Sequence, residues 1–508
     1  MKPYKISSLA LASLLLLNTG CKSDLLDKVN PNEPSTIQFW NTSDDATRAM
    51  LAVYSGQQIF STYSLYWHFD TEGRTDESFS ASPALDLRGF MSFQQGSTND
   101  SRSAFFWNDM YRMIFRANQV LTKVPGISMD ATLKKRTIAE ALYMRSMSYY
   151  DLGLLFGNLP LNLQLSDAST RVPQVSQEAV FAQLVTDLTA AKADLPLSYD
   201  AANKGRATRG AATALLGKVY MQQRKWLEAS TQFAEIISSN QYSLVPNFAD
   251  NFTEANENNS ESIYEVQFSG VNQVFGQDFA GASEGNERAQ FWGPSGTGFT
   301  DVEVRPWVFD EFSDRTLTGG IDPRRASTMF SIADTPTPYG KNFIAPPSAA
   351  VFGTPANRWL TWRKYQNDRS RNFENFFSGI NIRLIRYSDV LLMQAEALNE
   401  LGRGTEAIPL INQVRARVNL TPLLVTLGAN QAALRTQIRH ERVTELAGEG
   451  VRWSDLVRYG LFDTPAGLTE LKSRDADFNN FISPKNKLLP LPQADIDIDH
   501  ALKQNPGF

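Results

Sequence analysis

Cysteine and histidine are scarce in this sequence. Its 508 residues include one cysteine, Cys21, and three histidines, His68, His440 and His500. A zinc site or a thiol–imidazole pair needs several such residues close together, and an internal disulfide needs two cysteines. The sequence therefore leaves almost no room for any of these three features.

An excess of positive charge and long apolar runs are also missing. Lys and Arg number 49 against 54 Asp and Glu, which gives a net charge of −5. Nucleic-acid binding usually needs a strongly basic balance, so we expect no nucleic-acid partner. No later segment approaches the roughly 18 consecutive apolar residues of a membrane helix. With 42% hydrophobic and 20% charged residues, the composition is typical of a globular chain with a large core.

The amino terminus has the layout of a secretion signal. Two early lysines precede the short apolar run Leu9–Leu17, and Cys21 follows where lipoprotein signals place an acylated cysteine. We therefore interpret residues 1–20 as a lipoprotein signal peptide and Cys21 as the lipidated start of the mature chain, anchored to a membrane. Asn18 departs from the leucine usual at that position, and an ordinary signal peptide is the alternative.

Apolar residues recur at the spacing of one helix face in four regions. The regions are a helix that ends at Phe156, a helix over 176–195, two helices over 210–239 and two helices over 388–419. Glycine or proline follows the end of each of the first two regions. Helices paired by tight turns predict stacked helical hairpins.

One of these pairs matches the tetratricopeptide pattern. Residues 216–220 read Leu-Gly-Lys-Val-Tyr and residues 229–233 read Ala-Ser-Thr-Gln-Phe, as on the two helices of such a repeat. The small Gly217 would let the helices approach, and Phe233 would fill the gap between them. The pattern predicts several tetratricopeptide-like units, and units of this kind seldom catalyse a reaction themselves.

Two regions, about 61–107 and 240–380, differ from the helical ones. They are rich in Gly, Pro, Asn, Asp and aromatic residues, with strand-like runs at 263–268 and 381–386. Long irregular segments in a compact protein are usually functional. We therefore predict a mainly α-helical scaffold that carries loop-rich ligand-binding regions, with the scaffold over about 40–60, 104–240 and 387–460.

Six motifs follow one another along the chain as far as its carboxyl terminus. They are Glu140–Leu161, Ala207–Ala229, Asp322–Arg324, Arg386–Glu400 with Ile411–Arg415, Ile438–Arg458, and Asn486–Gln493 with Gln504–Gly507. Their order and spacing resemble the SusD/RagB family of outer-membrane lipoproteins that work in nutrient uptake.

The resemblance implies a fold, a location and partners. Residues 21–508 would form a single SusD-like domain of tetratricopeptide-like helical pairs, with a loop-rich inserted ligand-binding region and a few short strands. The protein would sit lipid-anchored at the outer membrane, face the cell exterior and deliver its ligand to a SusC-like TonB-dependent transporter. The ligand would be an oligosaccharide or polysaccharide, or alternatively a peptide. We expect no cofactor, no metal and no enzymatic activity.

Two other classes of function stay open, a surface glycosidase that uses two carboxylates and a tetratricopeptide scaffold for protein assembly. A metalloprotease is excluded, because Thr444 stands where the His-Glu pair at 440–441 would need its second histidine. The glycine-rich run Gly293–Gly298 lacks the Gly-Lys-Ser/Thr of a phosphate-binding loop and is interpreted as an ordinary loop.

Several charged residues lie close together on a predicted helix around residue 440. They are Arg439, Glu441, Arg442, Glu445 and Glu449. Residues four apart lie on one helix face, and buried charges require partners. We predict that these side chains form an Arg–Glu network that fixes the helix against its neighbours.

The candidate binding residues are aromatic and polar side chains in the loop-rich regions. Sugars present apolar C–H faces that stack on Trp or Tyr, while polar side chains bind their hydroxyls. Trp67, just before a charged stretch, and Trp292, inside the long irregular region, are the leading candidates. We add Asp70, Arg74 and Trp359, and we assign Trp107, Trp226, Trp362 and Trp453 to the structural framework.

Overall fold

The computed structural model describes residues 39–94, 100–165, 171–271, 284–331, 338–341 and 359–508. The predicted signal peptide and Cys21 lie outside these residues. Within them, no helix combines the length and the apolar character needed to cross a membrane.

The fold is mainly helical, with helices concentrated before residue 240 and after residue 386. The α-helices of at least five residues in the described ranges are α1 (Ser43–Ser55), α2 (Leu85–Met91), α3 (Ser101–Lys123), α4 (Ala131–Phe156), α5 (Gln177–Asp194), α6 (Arg209–Gln222), α7 (Trp226–Ser238), α8 (Arg288–Trp292), α9 (Pro306–Glu311), α10 (Arg324–Thr328), α11 (Tyr387–Glu400), α12 (Gly404–Arg417), α13 (Gln431–Leu446), α14 (Arg452–Tyr459), α15 (Pro465–Arg474) and α16 (Gln493–Ile498).

The four helical regions predicted from periodicity are confirmed, and local chemistry explains their ends. Helix α4 stops where Gly157 adopts a φ of 76°, a conformation that costs glycine little. Ser176 caps α5 by accepting a hydrogen bond from the Ala179 amide, 3.2 Å from the Ser176 hydroxyl. Thr208 caps α6 in the same way, through the amide of Ala211.

Helices α6 and α7 pack as the tetratricopeptide motif predicts. A Cβ atom on Gly217 would lie only 2.4 Å from the Phe233 ring, so the absence of a side chain at 217 permits the close approach. Helices α11 and α12 form a second packed pair, and α11 lies directly against α7 of the first pair, where the Gln394 amide donates to the Ser230 hydroxyl at 3.1 Å. Both pairs contribute to one continuous apolar core that extends from Ala46 to Leu491.

Short strands occupy the loop-rich part of the chain. The strands are β1 (Ser78–Phe79), β2 (Leu159–Pro160), β3 (Gln174–Val175), β4 (Ser262–Val266), β5 (Glu303–Val304), β6 (Met329–Ser331), β7 (Leu360–Trp362) and β8 (Ile382–Arg386). The predicted strand-like runs at 263–268 and 381–386 correspond to β4 and β8, which pair antiparallel. A four-stranded sheet has the order β1-β5-β7-β6, and β2 pairs with β3.

The four-stranded sheet has two different faces. Cross-strand partners share a face, and the register aligns Phe79, Glu303, Thr361 and Phe330 in one row. Val304 and Trp362 lie on the opposite face and join the main core, whereas the Phe79 and Phe330 rings do not. We call the face with Phe79, Glu303, Thr361 and Phe330 the outer face of the sheet.

Candidate functional site

The structure buries all five binding residues named from the sequence. The exposed fractions are 6% for Trp67, 1% for Asp70, 4% for Arg74, 0% for Trp292 and 0% for Trp359. The expected open aromatic platform is therefore not formed by these side chains. The environments of the five side chains differ.

Trp67 and Trp292 are parts of the core. Trp67 packs against the backbone at Gly450, where a Cβ atom would lie 2.1 Å from the indole ring. Trp292 stacks on Phe69 with ring centroids 5.2 Å apart. The Arg288 guanidinium carbon lies 5.0 Å from the Trp292 ring centroid. The sequence predicted irregular segments at both positions, but Trp67 lies on a short helix, Tyr66–His68, and Trp292 ends α8. Both rings turn inward, because burying a large ring stabilises the fold.

Arg74 is held by a set of aromatic rings. Its guanidinium carbon lies 4.8 Å from the Trp453 ring centroid and 5.1 Å from that of Phe90, and Nη2 donates to the Asn486 carbonyl at 2.9 Å. Burial lowers the pKa of Arg74 to about 10. These contacts connect the region near residue 74 to the carboxyl-terminal part of the chain, which is a structural role.

Asp70 is a buried acid of a different kind. Neither of its carboxyl oxygens has a hydrogen-bond partner among the described residues. Burial raises the pKa of Asp70 to about 8, because the interior disfavours the charged form. The side chain is therefore neutral at pH 7 and offers no charge to a ligand.

Trp359 stands apart from the other four. It immediately precedes β7, and its ring lies 6.4 Å from Phe79 on the outer face of the sheet, outside the main core. Its indole N–H has no acceptor in the described part of the chain, and the hydroxyl of Thr361 on the same face is also unpaired there. The outer face thus combines aromatic rings with unused hydrogen-bonding groups.

Glu303 lies at the centre of this face. Both of its carboxyl oxygens are buried without a partner among the described residues. Burial raises the pKa of Glu303 well above its usual value, and burial also raises that of the nearby Asp301 to about 6. A neutral carboxyl both donates and accepts hydrogen bonds, as a sugar hydroxyl does. Sequence reasoning missed Glu303, because one glutamate among 54 acidic residues carries no signal.

An accessible aromatic cluster lies nearby. Phe299 is 49% exposed, and its ring centroid is 5.3 Å from that of Phe291 and 5.6 Å from that of Phe376. The rings of Phe291 and Phe376 are 6.2 Å apart, which completes a triangle of mutual contacts. We call Phe291, Phe299 and Phe376 the aromatic surface. Such an exposed ring group is a common feature of binding sites.

The glycine-rich loop predicted at 293–298 positions this surface. The Phe299 amide donates to the Gln290 carbonyl at 2.8 Å, so the chain returns to α8 after the loop. A Cβ atom on Gly298 would lie 2.6 Å from the Gly293 Cα, so the two loop ends can meet only without side chains there. A glycine-rich loop beside several phenylalanines is the sequence signal for this surface, and a prediction based on tryptophan alone does not use it.

Tyr339 connects the aromatic surface with the outer face. Its ring lies 6.0 Å from Phe330, and its hydroxyl donates to the Glu374 carboxylate. The Glu374 amide in turn donates to the Thr297 carbonyl at 3.0 Å, inside the glycine-rich loop. The two features are therefore neighbours in one loop-rich region.

The charged side chains of α13, together with Glu449, form the predicted buried network, with one exception. Glu449 was predicted on the same helix but follows its end at Leu446. Glu445 is bound by three arginines, and they hold its pKa well below its usual value even though burial acts in the opposite direction. Arg439 has no carboxylate partner among the described residues. The pairs are Glu441 with Arg324 and Arg415, Arg442 with Asp389 and Asp455, Glu445 with Arg324, Arg386 and Arg417, and Glu449 with Lys364 and Arg386.

One group of potential metal ligands lies in the described ranges, formed by Asp314, His440 and Glu441. Arg415 Nη1 already contacts both carboxylates, at 2.6 Å from Asp314 Oδ2. The two ring nitrogens of His440 lie 2.8 Å from Glu311 and 3.1 Å from Asp314. Burial opposes protonation, but these hydrogen bonds raise the pKa of His440 to about 10. An arginine and an imidazolium occupy the positions where a metal ion would need ligand lone pairs.

The fold, the aromatic surface and the outer face of the sheet together define a protein with a helical scaffold and a loop-rich face. Known proteins have the same architecture. The SusD family model matches residues 260–508, and a model described as starch-binding and associating with the outer membrane matches residues 24–221. A SusD-like protein of Formosa agariphila is 28% identical over 495 residues, which are 90% of this chain and 92% of that relative.

Solved structures agree with the family models. A SusD superfamily protein from Bacteroides vulgatus has a TM-score of 0.79 and 24% identity, over 92% of this chain and 100% of that chain. A laminarin-binding SusD-like protein has a TM-score of 0.75 and 28% identity, again over 92% and 100%. This chain belongs to the SusD/RagB family, as its motifs predicted.

Proposed function

We propose that this protein binds a carbohydrate at the aromatic surface. The observation that carries the proposal is the half-exposed Phe299 ring, supported from behind by Phe291 and Phe376. An oligosaccharide can lay the C–H face of a pyranose ring on such a cluster, and this contact needs no charge or cofactor.

The outer face of the sheet supplies polar groups to the same ligand. Glu303, Trp359 and Thr361 each hold a buried donor or acceptor that no described residue satisfies. A hydroxyl-rich ligand matches these groups, because each sugar hydroxyl both donates and accepts. Phe299 is exposed in this structure, whereas Glu303, Trp359 and Thr361 are buried. We therefore propose that first contact occurs at Phe299 and that the outer face must open before the polar contacts form.

Glucans are the substrate class that we favour. The description of the matching family model as starch-binding and the name of the laminarin-binding relative both support this choice. A peptide ligand is the alternative within the same family. Binding occurs without catalysis, and a surface glycosidase or a pure assembly scaffold would be different functions of the same chain.

Membrane attachment and delivery complete the proposal. Lipid on Cys21 would tether the mature chain to the outer membrane, facing the cell exterior, and the bound glycan would pass to a SusC-like TonB-dependent transporter. The amino-terminal sequence and the phrase "associating with outer membrane" in the family model support this arrangement. Replacing Cys21 by Ser is expected to release the protein from the membrane fraction, and pull-down of a barrel partner tests the delivery step.

Calorimetric titration of the purified full-length protein with laminarin and soluble starch tests the site. We expect one of these glucans to bind, and Phe299→Ala to weaken binding about tenfold through the loss of ring contact. Phe115→Ala is the matched control, because Phe115 is 45% exposed on α3, outside the loop-rich face. Equal affinities of the two variants would reject the aromatic surface as the site.

Three further readouts separate the other functions. Binding of peptides but not glucans would move the protein to the peptide alternative. Release of reducing ends from laminarin or starch would show a glycosidase. Failure to bind any glucan or peptide, with a barrel partner still co-purifying, would leave the scaffold function.

A further inference from the structure

A second groove lies on the scaffold, away from the aromatic surface. It encloses about 540 Å³ between α13, α14, α15 and the segment after α9. This volume falls in the range of small-molecule sites, roughly 300–1,000 Å³. The groove is lined by described residues only, and most of them are charged or polar.

Most charges in this groove are already paired. His440 donates to Glu311 and Asp314. Arg452 pairs with the buried Asp76, with Nη2 and Oδ2 2.7 Å apart. Arg474 pairs with Asp76 and with Glu470, 2.9 Å from the Glu470 carboxylate. The acids of the groove are thus committed to these cations.

Arg439 is the unpaired cation in the groove. Its guanidinium carbon lies 4.2 Å from the Tyr459 ring centroid, and no carboxylate or other acceptor among the described residues binds it. Its Nε–H is buried without an acceptor. Stacking on a tyrosine holds the arginine side chain in place while the N–H groups of its guanidinium remain available. A planar guanidinium of this kind suits a carboxylate, which can accept two parallel hydrogen bonds.

The remaining lining favours a saccharide over a peptide. Thr436 and Gln437 offer a hydroxyl and an amide, which together donate to and accept from sugar hydroxyls. The only aliphatic side chains in the lining are Val443 and Leu461, so the groove lacks apolar sub-pockets for peptide side chains.

We propose that this groove binds an anionic saccharide through its carboxylate, with Arg439 as the residue that contacts the acidic group. The site goes beyond the glucan site proposed above, because it shares no residue with the aromatic surface. A protein that holds both sites can bind a neutral and an acidic sugar at separate places.

The test uses a galacturonate oligosaccharide and its methyl ester, which has the same sugar backbone without the charge. Calorimetry on the full-length protein is expected to detect binding of the acid form. The ester and the Arg439→Gln variant should each bind about tenfold more weakly, as the loss of a charge-assisted hydrogen bond predicts. Added NaCl should weaken binding of the acid form to the wild type.

Arg435→Gln is the matched control. Arg435 lies one helical turn earlier on α13, is also partly exposed, and is paired with Glu400 at 2.8 Å. Its replacement changes the net charge equally and should leave binding unchanged. Arg439→Lys keeps the charge and should retain most of the affinity, which keeps the test decisive if Arg439→Gln folds poorly.

Three outcomes would overturn the proposal. They are equal binding of the acid and the ester, equal affinities of Arg439→Gln and the wild type, and binding of poly-glutamate as tight as that of the saccharide. The Phe299→Ala variant should bind the galacturonate oligosaccharide normally. The failure of one site can therefore be distinguished from the failure of the other.

Discussion

Glu303 and Thr361 lie directly opposite each other on β5 and β7, and neither side chain has a hydrogen-bond partner among the described residues. Buried polar groups in proteins are usually paired, and an unpaired one costs about 1–3 kcal/mol. The Trp359 indole N–H beside them is in the same condition. Retaining three such groups on one sheet face is consistent with a role in binding.

Replacing Trp359 by Phe tests whether its N–H serves a ligand. The change keeps an aromatic ring and removes the unpaired donor, so we expect little loss of stability and glucan affinity about threefold to tenfold weaker. Calorimetric titration with the bound glucan measures the effect. Trp362→Phe is the control, since Trp362 is equally buried with an unpaired N–H but faces the main core. If both variants bind alike, Trp359 does not contact the ligand.

Replacing Glu303 by Leu should separate stability from binding. Leu is similar in size and removes an unpaired buried carboxyl, so we expect the free energy of unfolding to rise by about 1–3 kcal/mol. Glucan affinity should fall, because the donor and acceptor pair is lost. Urea unfolding and calorimetry on the same sample measure both quantities. A loss of stability would show that the carboxyl already has a stabilising role in the unliganded protein.

The raised pKa of the buried Asp70 carboxyl should make the stability of the protein depend on pH. Its pKa is about 8 in the folded protein against an ordinary value of 3.8. Between these two values the folded state holds a proton that the unfolded state has released, so stability falls as pH rises from about 4 to about 8. One group of this kind contributes at most about 1.4 kcal/mol per pH unit.

Asp70→Asn removes this titration. We expect the free energy of unfolding to decline less steeply between pH 5 and pH 8 in the variant than in the wild type, with the difference between the two largest at pH 8. Urea unfolding at several pH values provides the measurement. Parallel curves for the two proteins would mean that Asp70 is ionised in the fold.

The sequence predicted the scaffold well because helix periodicity and helix ends are local properties. Gly157, Ser176 and the Gly217–Phe233 pair act within a few turns of chain, and each is found as expected. The SusD/RagB family was recognisable for the same reason, since its motifs lie on the helical scaffold.

The candidate site was not predictable in the same way. Whether Trp292 or Phe299 is exposed depends on how the loop at 293–298 turns, and that depends on contacts far apart in the chain. The importance of Glu303 follows from a strand register that joins residues 79, 303, 361 and 330. Arg439 has no carboxylate partner among the described residues although its neighbours on α13 do, and predicting this difference likewise requires the positions of acids on other helices.

The tetratricopeptide-like pair offers a final prediction, in which packing opposes helix propensity. Alanine is a better helix former than glycine by about 1 kcal/mol, so Gly217→Ala in α6 would be stabilising on propensity alone. Its Cβ atom, however, would meet the buried Phe233 ring at 2.4 Å, and relieving such overpacking costs about 1–3 kcal/mol. We therefore expect Gly217→Ala to be destabilised in urea unfolding. Gly89→Ala in α2 is the control, because its added Cβ would meet no atom within 4 Å apart from its chain neighbours and its own helix backbone, and it should gain about 0.5–1 kcal/mol. Stabilisation of both variants would show that the two helices can separate without cost, and the close packing at Gly217 would then not be what holds the pair together.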